Sequence, residues 1–559
     1  MYKRQDLHTV RSLVLHGHPR HESESDAGSA FDESESDAGS AFDESESDAA
    51  CAFDESEIDA GSALDESESD AASDNDAEVL LAPICEEDLV LTLHAVATMP
   101  ALRSVQLDSS YGWGFDAVQA LAPALSCLSQ LAALNLSGIA SGVGNRVAAL
   151  VLPLAALTTL TALDLGKNDL GAVGAEALVP ALNRLSRLAR LDLAHNRVGA
   201  AGAAALAQPL AALTTLTALH LLDNDIRAAG AEALVQALSR LSRSEVAAPD
   251  SLSHGAADAT TPVPPVTSIA ALASLELAGN HIGTAGVAAL AQHFGALTAL
   301  TYLGLAVNEL DGIGATVLVP VLNHLKRLAK LDLEYNRVGA TGVAALVQAI
   351  ASLTTLTALN LRSNKLGAAG VEAFVPALRR LPRLAYLGLG CNSVGAAGAA
   401  ALAQPLAALT TLTALDLGHN ELGAAGAEAL APALSRLSRL AHLDLAFNRV
   451  GAAGAAALAQ PLAALTALTW LDLARNDVAT EDAEALAPAL RRLTRLAHLD
   501  LAYNDLLHDG LAHLVPALAC MSELRFISLR GNGISVAACR HVQAEFRLHV
   551  DYIDHSLLP

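Results

Sequence analysis

The sequence is poor in aromatic side chains. Phe, Trp and Tyr make up 3% of its 559 residues, although hydrophobic residues reach 52%. A core built round a few large rings is therefore excluded. The apolar content is mainly Leu, Ala and Val, which suits many similar units packed one on the next. Cysteine is also scarce. Cys51, Cys85, Cys127, Cys391, Cys520 and Cys539 show neither zinc-ligand spacing nor the density of a disulfide framework. They read as small apolar residues in a reducing compartment.

Chemistry-bearing motifs are missing as well. The sequence holds no Walker loop, no HExxH, no GxSxG and no dinucleotide fingerprint. The 19 histidines show no metal-ligand spacing. No catalytic residue, metal or cofactor is expected, and the chain is not expected to be an enzyme.

Basic residues are absent from one segment. Residues 22–78 hold 22 Asp or Glu and no Lys or Arg, which leaves 34 basic and 38 acidic residues elsewhere. The protein thus reads as a nearly neutral body with an acidic arm, and phosphates would be repelled, so no nucleic acid is expected as partner. Within the arm, ESESDAGSAFD and its variants return every 11 residues, from Glu22, Glu33, Glu44, Glu55 and Glu66. So much like charge with so little apolar content predicts disorder. Ser23, Ser34, Ser45 and Ser67 each precede an Asp by three residues, a pattern suited to acidophilic phosphorylation. Phe31, Phe42 and Phe53 are spaced like weak docking points.

A basic N-terminal segment, 1–21, has no apolar run of secretory length and no small-residue cleavage site. Residues 450–471 carry no charge over a membrane-spanning length, but Pro461 and their phase mark them as repeat. A cytoplasmic protein without a membrane partner is expected.

What the sequence has in abundance is one unit of 28 residues. With Leu160 as position 1 it reads LTALDLGKNDLGAVGAEALVPALNRLSR. Position 9 is Asn168, Asn196, Asn224, Asn280, Asn308, Asn336, Asn364, Asn392, Asn420, Asn448, Asn476, Asn504 and Asn532. Leu at positions 4 and 6 alternates with variable residues, as in a short strand with one buried face. The Asn side chain can bond backbone groups of the following turn. Gly-x-x-Gly, as at Gly199 and Gly202, then leads into an Ala/Leu-rich helix. No unit buries its leucines alone, so neighbours must stack into a continuous core.

LxxLxLxxNxLG, as at residues 412–423, resembles the leucine-rich repeat, specifically its ribonuclease-inhibitor-like subfamily. The resemblance covers residues 102–548, about 15 units once two degenerate ones at Leu102 and Leu131 are counted. It implies an α/β solenoid, a horseshoe with a parallel sheet on the concave face and helices outside. Residues 79–101 would be an N-terminal cap and 549–559 a C-terminal tail.

Two unit types alternate. One has Glu176 early and Arg184 and Arg187 late, an arrangement matched to the helix dipole. The other, GAAGAAALAQPLAALTT, is uncharged. The alternation favours a disordered inserted loop, 244–267, over a decayed repeat. Prolines such as Pro180, Pro209, Pro376 and Pro432 predict short or kinked helices. Uncharged helical stretches in the units from 188, 272, 328, 384 and 440 offer a neutral but weak surface for self-association, and a monomer is favoured.

Function should lie where the units differ. Position 5 is a stripe of Asp164, Asp192, His220, Glu276, Gly304, Asp332, Asn360, Gly388, Asp416, Asp444, Asp472 and Asp500. The scarce aromatics fall on neighbouring concave positions: Tyr302, Tyr335, Tyr386, Phe447, Trp470, Tyr503 and Phe526. Near the C-terminal end they gather with charges. His442, Asp444, Phe447, Trp470, Asp472, Arg475, His498, Asp500, Tyr503, Phe526 and Arg530 form the candidate protein-binding site. The expected function is an intracellular protein-interaction scaffold. The alternative is a GTPase-activating protein for a Ran-like GTPase. Proteins of that kind resemble this one in repeat type and in having an acidic segment. Here that segment is N-terminal, and the early repeat at 102–114, LRSVQLDSSYGWG, is too degenerate to place the required arginine.

Overall fold

The computed structural model describes residues 12–16, 78–80, 102–108, 121–123, 125–126, 128–139, 149–242 and 272–552. The acidic arm up to residue 77, most of the expected cap and the expected insert lie outside the described residues.

One open parallel sheet runs the length of the molecule. At its N-terminal edge β1 (Ser12–His16) pairs with both β2 (Glu78–Leu80) and β3 (Ser104–Asp108). The basic N-terminal segment thus supplies a strand. β4 (Ala133–Asn135) follows, then one three-residue strand per unit: β5 (Ala162–Asp164), β6 (Arg190–Asp192), β7 (Ala218–His220), β8 (Ser274–Glu276), β9 (Tyr302–Gly304), β10 (Lys330–Asp332), β11 (Ala358–Asn360), β12 (Tyr386–Gly388), β13 (Ala414–Asp416), β14 (His442–Asp444), β15 (Trp470–Asp472), β16 (His498–Asp500) and β17 (Phe526–Ser528). The sheet does not stop at residue 548. His549–Asp551, within the expected tail, forms β18 and pairs with β17. β7 bonds directly to β8, Ala218 opposite Ser274, although 56 residues separate them.

Each strand is short because only its central residue points inward. Leu415 and Leu417, at positions 4 and 6, are fully buried, while position 5 between them faces the concave side. A single apolar core extends from Leu102 to Val550. Its largest fully buried side chains are Phe294 and Phe374, so leucine fills nearly all of it.

The Asn ladder seals the exit of each strand. Asn392 Nδ2 donates to the carbonyls of Leu361, Leu389 and Gly390 at 2.8, 3.0 and 2.9 Å. Its Oδ1 accepts from the backbone N–H of Asn364 and Leu366 in the preceding unit. All 13 ladder asparagines are buried, at 0–3% exposure, and their bonding makes that tolerable. The flanking residues are left-handed, as at Cys391 and Ser393, with φ of 52° and 51°.

Gly-x-x-Gly plays two separate parts. Gly199 has φ of 66° and open space around a would-be Cβ, so it serves the turn. Gly202 lies in the helix Gly199–Ala212, where a Cβ would sit 2.8 Å from Val198 Cγ1 and 3.0 Å from Ala172 Cα of the preceding helix. It sets the close approach of neighbouring helices.

The prolines do not break the helices. Gly171–Leu182 is 12 residues long with Pro180 in its last turn. Only one interior bond is lost there. The expected dipole match is weaker than the sequence suggests: Glu176 is in the second turn, and Arg184 and Arg187 follow the C-cap Asn183.

Candidate functional site

The strand register decides what meets what on the concave face. Parallel pairing places position 3 of each unit beside position 3 of the next. Where several consecutive units carry rings there, the rings must stack.

They do so over the last five strands. His442 and Trp470 lie face to face, ring centroids 3.9 Å apart and planes 5° from parallel. Trp470 and His498 follow at 5.2 Å, His498 and Phe526 at 4.4 Å, Phe526 and His549 at 5.4 Å. Five rings thus form one continuous ladder across β14–β18.

A second ladder runs through position 8. His419 stacks on Phe447 at 3.6 Å. The Arg475 guanidinium lies 4.8 Å from the Phe447 ring centre and 4.1 Å from that of Tyr503. Tyr503 in turn rests over Gly531, where a Cβ would collide with the ring. Phe447 and Tyr503 pack on a small buried cluster of Ala446, Ala474 and Ala502 from position 7.

Between the ladders runs the position-5 stripe. Asp444, Asp472 and Asp500 each accept from the backbone N–H two residues on, at 2.8, 2.8 and 2.7 Å. Burial pushes the Asp444 carboxyl well above the usual range, and Asp416 and Asp472 on either side push it further. Burial also raises Asp500. Burial acts on the histidines in the opposite sense. His442 is lowered to about 4, and His419 to about 4 with help from Arg362, while His498 is lowered too. The imidazoles of His419, His442 and His498 are therefore neutral at pH 7, and their stacking carries no charge repulsion.

All eleven candidate residues lie at this end of the face. Arg530 reaches Asp551 at 3.4 Å and closes it. The eleven-residue candidate site left out His419, His549 and Asp551, and also Asp416, which the sequence shows only as a member of the position-5 stripe. His419 is position 8 of its own unit and could have been found by extending that column. His549 stands 23 residues after Phe526, so the 28-residue frame hid it.

The other concave aromatics are arranged differently. Tyr302 and Tyr386 both precede a position-5 glycine in Tyr-Leu-Gly. Tyr302 donates to Glu276, and Tyr386 leans over Gly388, its hydroxyl 2.9 Å from where a Cβ would be. Nearby, Arg362 bridges units, with Asp416 at 2.9 Å and Glu334 at 3.5 Å. Asn360 also donates to Glu334.

Among the described residues no three His, Cys, Asp or Glu side chains converge as a metal site would require. None of the described helices is long and apolar enough to cross a membrane. Of residues 102–114, where the GTPase-activator resemblance would need its arginine, 102–108 are described.

An open parallel sheet backed by one helix per unit, with its variable side chains in ladders, defines a repeat solenoid. A family model described as "Leucine Rich repeat" matches residues 156–179, 188–207, 212–235, 272–291, 324–347, 352–375, 408–431 and 440–459. The chain is a leucine-rich-repeat protein, a family whose members generally act as protein-interaction scaffolds. Among solved structures it is similar to an internalin from Listeria monocytogenes, at 22% identity over 62% of this chain and 82% of that one, with a TM-score of 0.37. It is also similar to a leucine-rich-repeat protein of Leptospira interrogans, at 19% identity over 77% and 92%, with a TM-score of 0.40. No curated protein sequence matches it.

Proposed function

We propose that the chain is an intracellular binding scaffold of the ribonuclease-inhibitor-like type, whose protein partner docks on the C-terminal half of the concave face. The two ring ladders carry this reading. Aromatic side chains make up 3% of the sequence, yet Phe447, Trp470, Tyr503 and Phe526 share one surface with four stacked histidines of the same ladders. Stacking fixes the rings before any partner arrives, which lowers the ordering cost of binding. Rigid aromatics with arginine are what binding hot spots are made of. The role is binding rather than catalysis, in a reducing compartment such as the cytoplasm, where the single thiols Cys391, Cys520 and Cys539 persist.

The test is affinity capture with the full chain beside a variant carrying Phe447→Ala, Trp470→Ala and Tyr503→Ala. A partner held by the first and lost from the second, with both folded by circular dichroism, supports the site. Equal retention moves the binding surface elsewhere.

A further inference from the structure

The ladders use up the faces of their own rings. What they present outward is ring edge, which is the electropositive part of an aromatic ring. At the centre of the position-8 ladder stands Arg475, exposed, its guanidinium carbon held over the Phe447 and Tyr503 rings, 4.8 and 4.1 Å from their centres. Among the described residues its side chain makes no ion pair and no hydrogen bond, while its backbone N–H donates to Ala502. Two other arginines of this face differ: Arg362 is paired with Asp416 and Glu334, and Arg530 with Asp551. The nearby carboxylates of Asp444, Asp472 and Asp500 each turn an oxygen onto their own backbone.

We propose that Arg475 receives an Asp or Glu carboxylate of the protein partner at its free edge, while the partner's apolar neighbours lie against the ring edges of the two ladders. The proposal rests on the concave site described above and names the chemistry of its partner. A guanidinium held over two rings keeps its N–H donors for a partner, and their fork matches a carboxylate in two parallel hydrogen bonds. The clasp also fixes a side chain that would otherwise lose rotamer freedom on binding. A cationic group at the same point would meet like charge.

The test is selection of random displayed peptides on the full chain, followed by titration of the selected peptides. Peptides sharing an Asp or Glu are expected. Arg475→Gln should weaken them by about 30-fold, as should Glu→Gln in the peptide, and the two changes together should cost little more. Arg475→Lys should restore part of the loss, because charge returns without the fork. Selection of basic peptides, of peptides with no common acid, or of none overturns the proposal, as does equal affinity for Arg475→Gln. A second variant, Trp470→Ala with Phe526→Ala, leaves the Arg475 clasp intact. If peptides survive Arg475→Gln but are lost from this variant, the concave site stands and the carboxylate contact falls. If they survive both, both readings fall.

Discussion

The imidazole of His442 lies flat against Trp470, 3.9 Å away and 5° from parallel, and burial lowers its pKa to about 4. Its unfolded value is the ordinary 6.5. Between these two values the unfolded chain binds a proton that the folded chain refuses, so stability falls as pH drops from about 6.5 toward 4. His442→Phe keeps a ring in the stack and removes the proton site. The variant should therefore gain on the parent protein by on the order of 1 kcal/mol between pH 7 and pH 4.5. Urea midpoints at the two pH values measure this, and a constant difference would contradict it.

Asp164 has the opposite sign. Burial, reinforced by Asp192, raises its carboxyl to about 6 from 3.8. The folded state favours the protonated form, so stability is lost as pH rises from about 4 through 6. Asp164→Asn keeps an oxygen for the backbone N–H of Gly166, which Asp164 Oδ1 accepts at 2.8 Å. Relative to the parent, this variant should be more stable at pH 8 than at pH 4.5, by on the order of 1–2 kcal/mol once partial exposure is discounted. Thermal unfolding at both pH values provides the check.

The Asn ladder gives a prediction about cooperation between units. Asn392→Ala strands the Leu361 carbonyl and the backbone N–H groups of Asn364 and Leu366, and takes one of two donors from the Leu389 and Gly390 carbonyls, which keep Asn420 Nδ2 and the Ser363 N–H. A loss of about 3 kcal/mol or more is expected, since each stranded buried group costs about 1–3 kcal/mol. Asn392→Asp keeps an acceptor but loses the donors, and should be almost as damaging. Denaturant titration would show whether Asp instead rescues the fold, which would place the weight on the acceptor side.

How much of this was legible in the sequence follows from what repeats. A buried Asn must be satisfied identically in every unit, so its column at 28-residue spacing was plain. The columns that hold the eleven candidate residues, at positions 3, 5, 7 and 8, were also legible, because strand register brings like positions together. Stacking itself was not, because it depends on how a side chain turns on its strand. Tyr386 leaves the column where Gly388 gives it room to lie down, while Trp470, followed by Asp472, stands and stacks. His549 was hidden because the last step is shorter than 28.

The two glycines of one turn should respond differently to the same change. Gly199→Ala meets nothing within 4 Å and suffers only its positive φ, a cost of about 1 kcal/mol. Gly202→Ala meets Val198 at 2.8 Å and the neighbouring helix at 3.0 Å, and should cost about 2 kcal/mol or more. Leu507 occupies the position equivalent to Gly199 with φ of 54° and half its side chain exposed. Leu507→Gly should therefore stabilise the protein by up to about 1 kcal/mol. Three unfolding curves decide the set, and a larger loss for Gly199→Ala than for Gly202→Ala would refute it.

Arg362 offers the last prediction, because its contacts run across four neighbouring strands, β10 to β13. Rooted beside β11, it reaches Asp416 on β13 and Glu334 after β10, passing over the space left open by Gly390. All three side chains are at most 17% exposed. Arg362→Met fills much of the same volume but leaves two buried carboxylates without their cation. Removing one partner of a buried ion pair typically costs about 3–5 kcal/mol, and the lower end applies to these partly solvated groups. Adding Asp416→Asn and Glu334→Gln to Arg362→Met removes the unpaired charges and should recover part of the loss. Urea unfolding of the single and triple variants measures this. If nothing were recovered, the loss would come from packing of the arginine stem rather than from its charge.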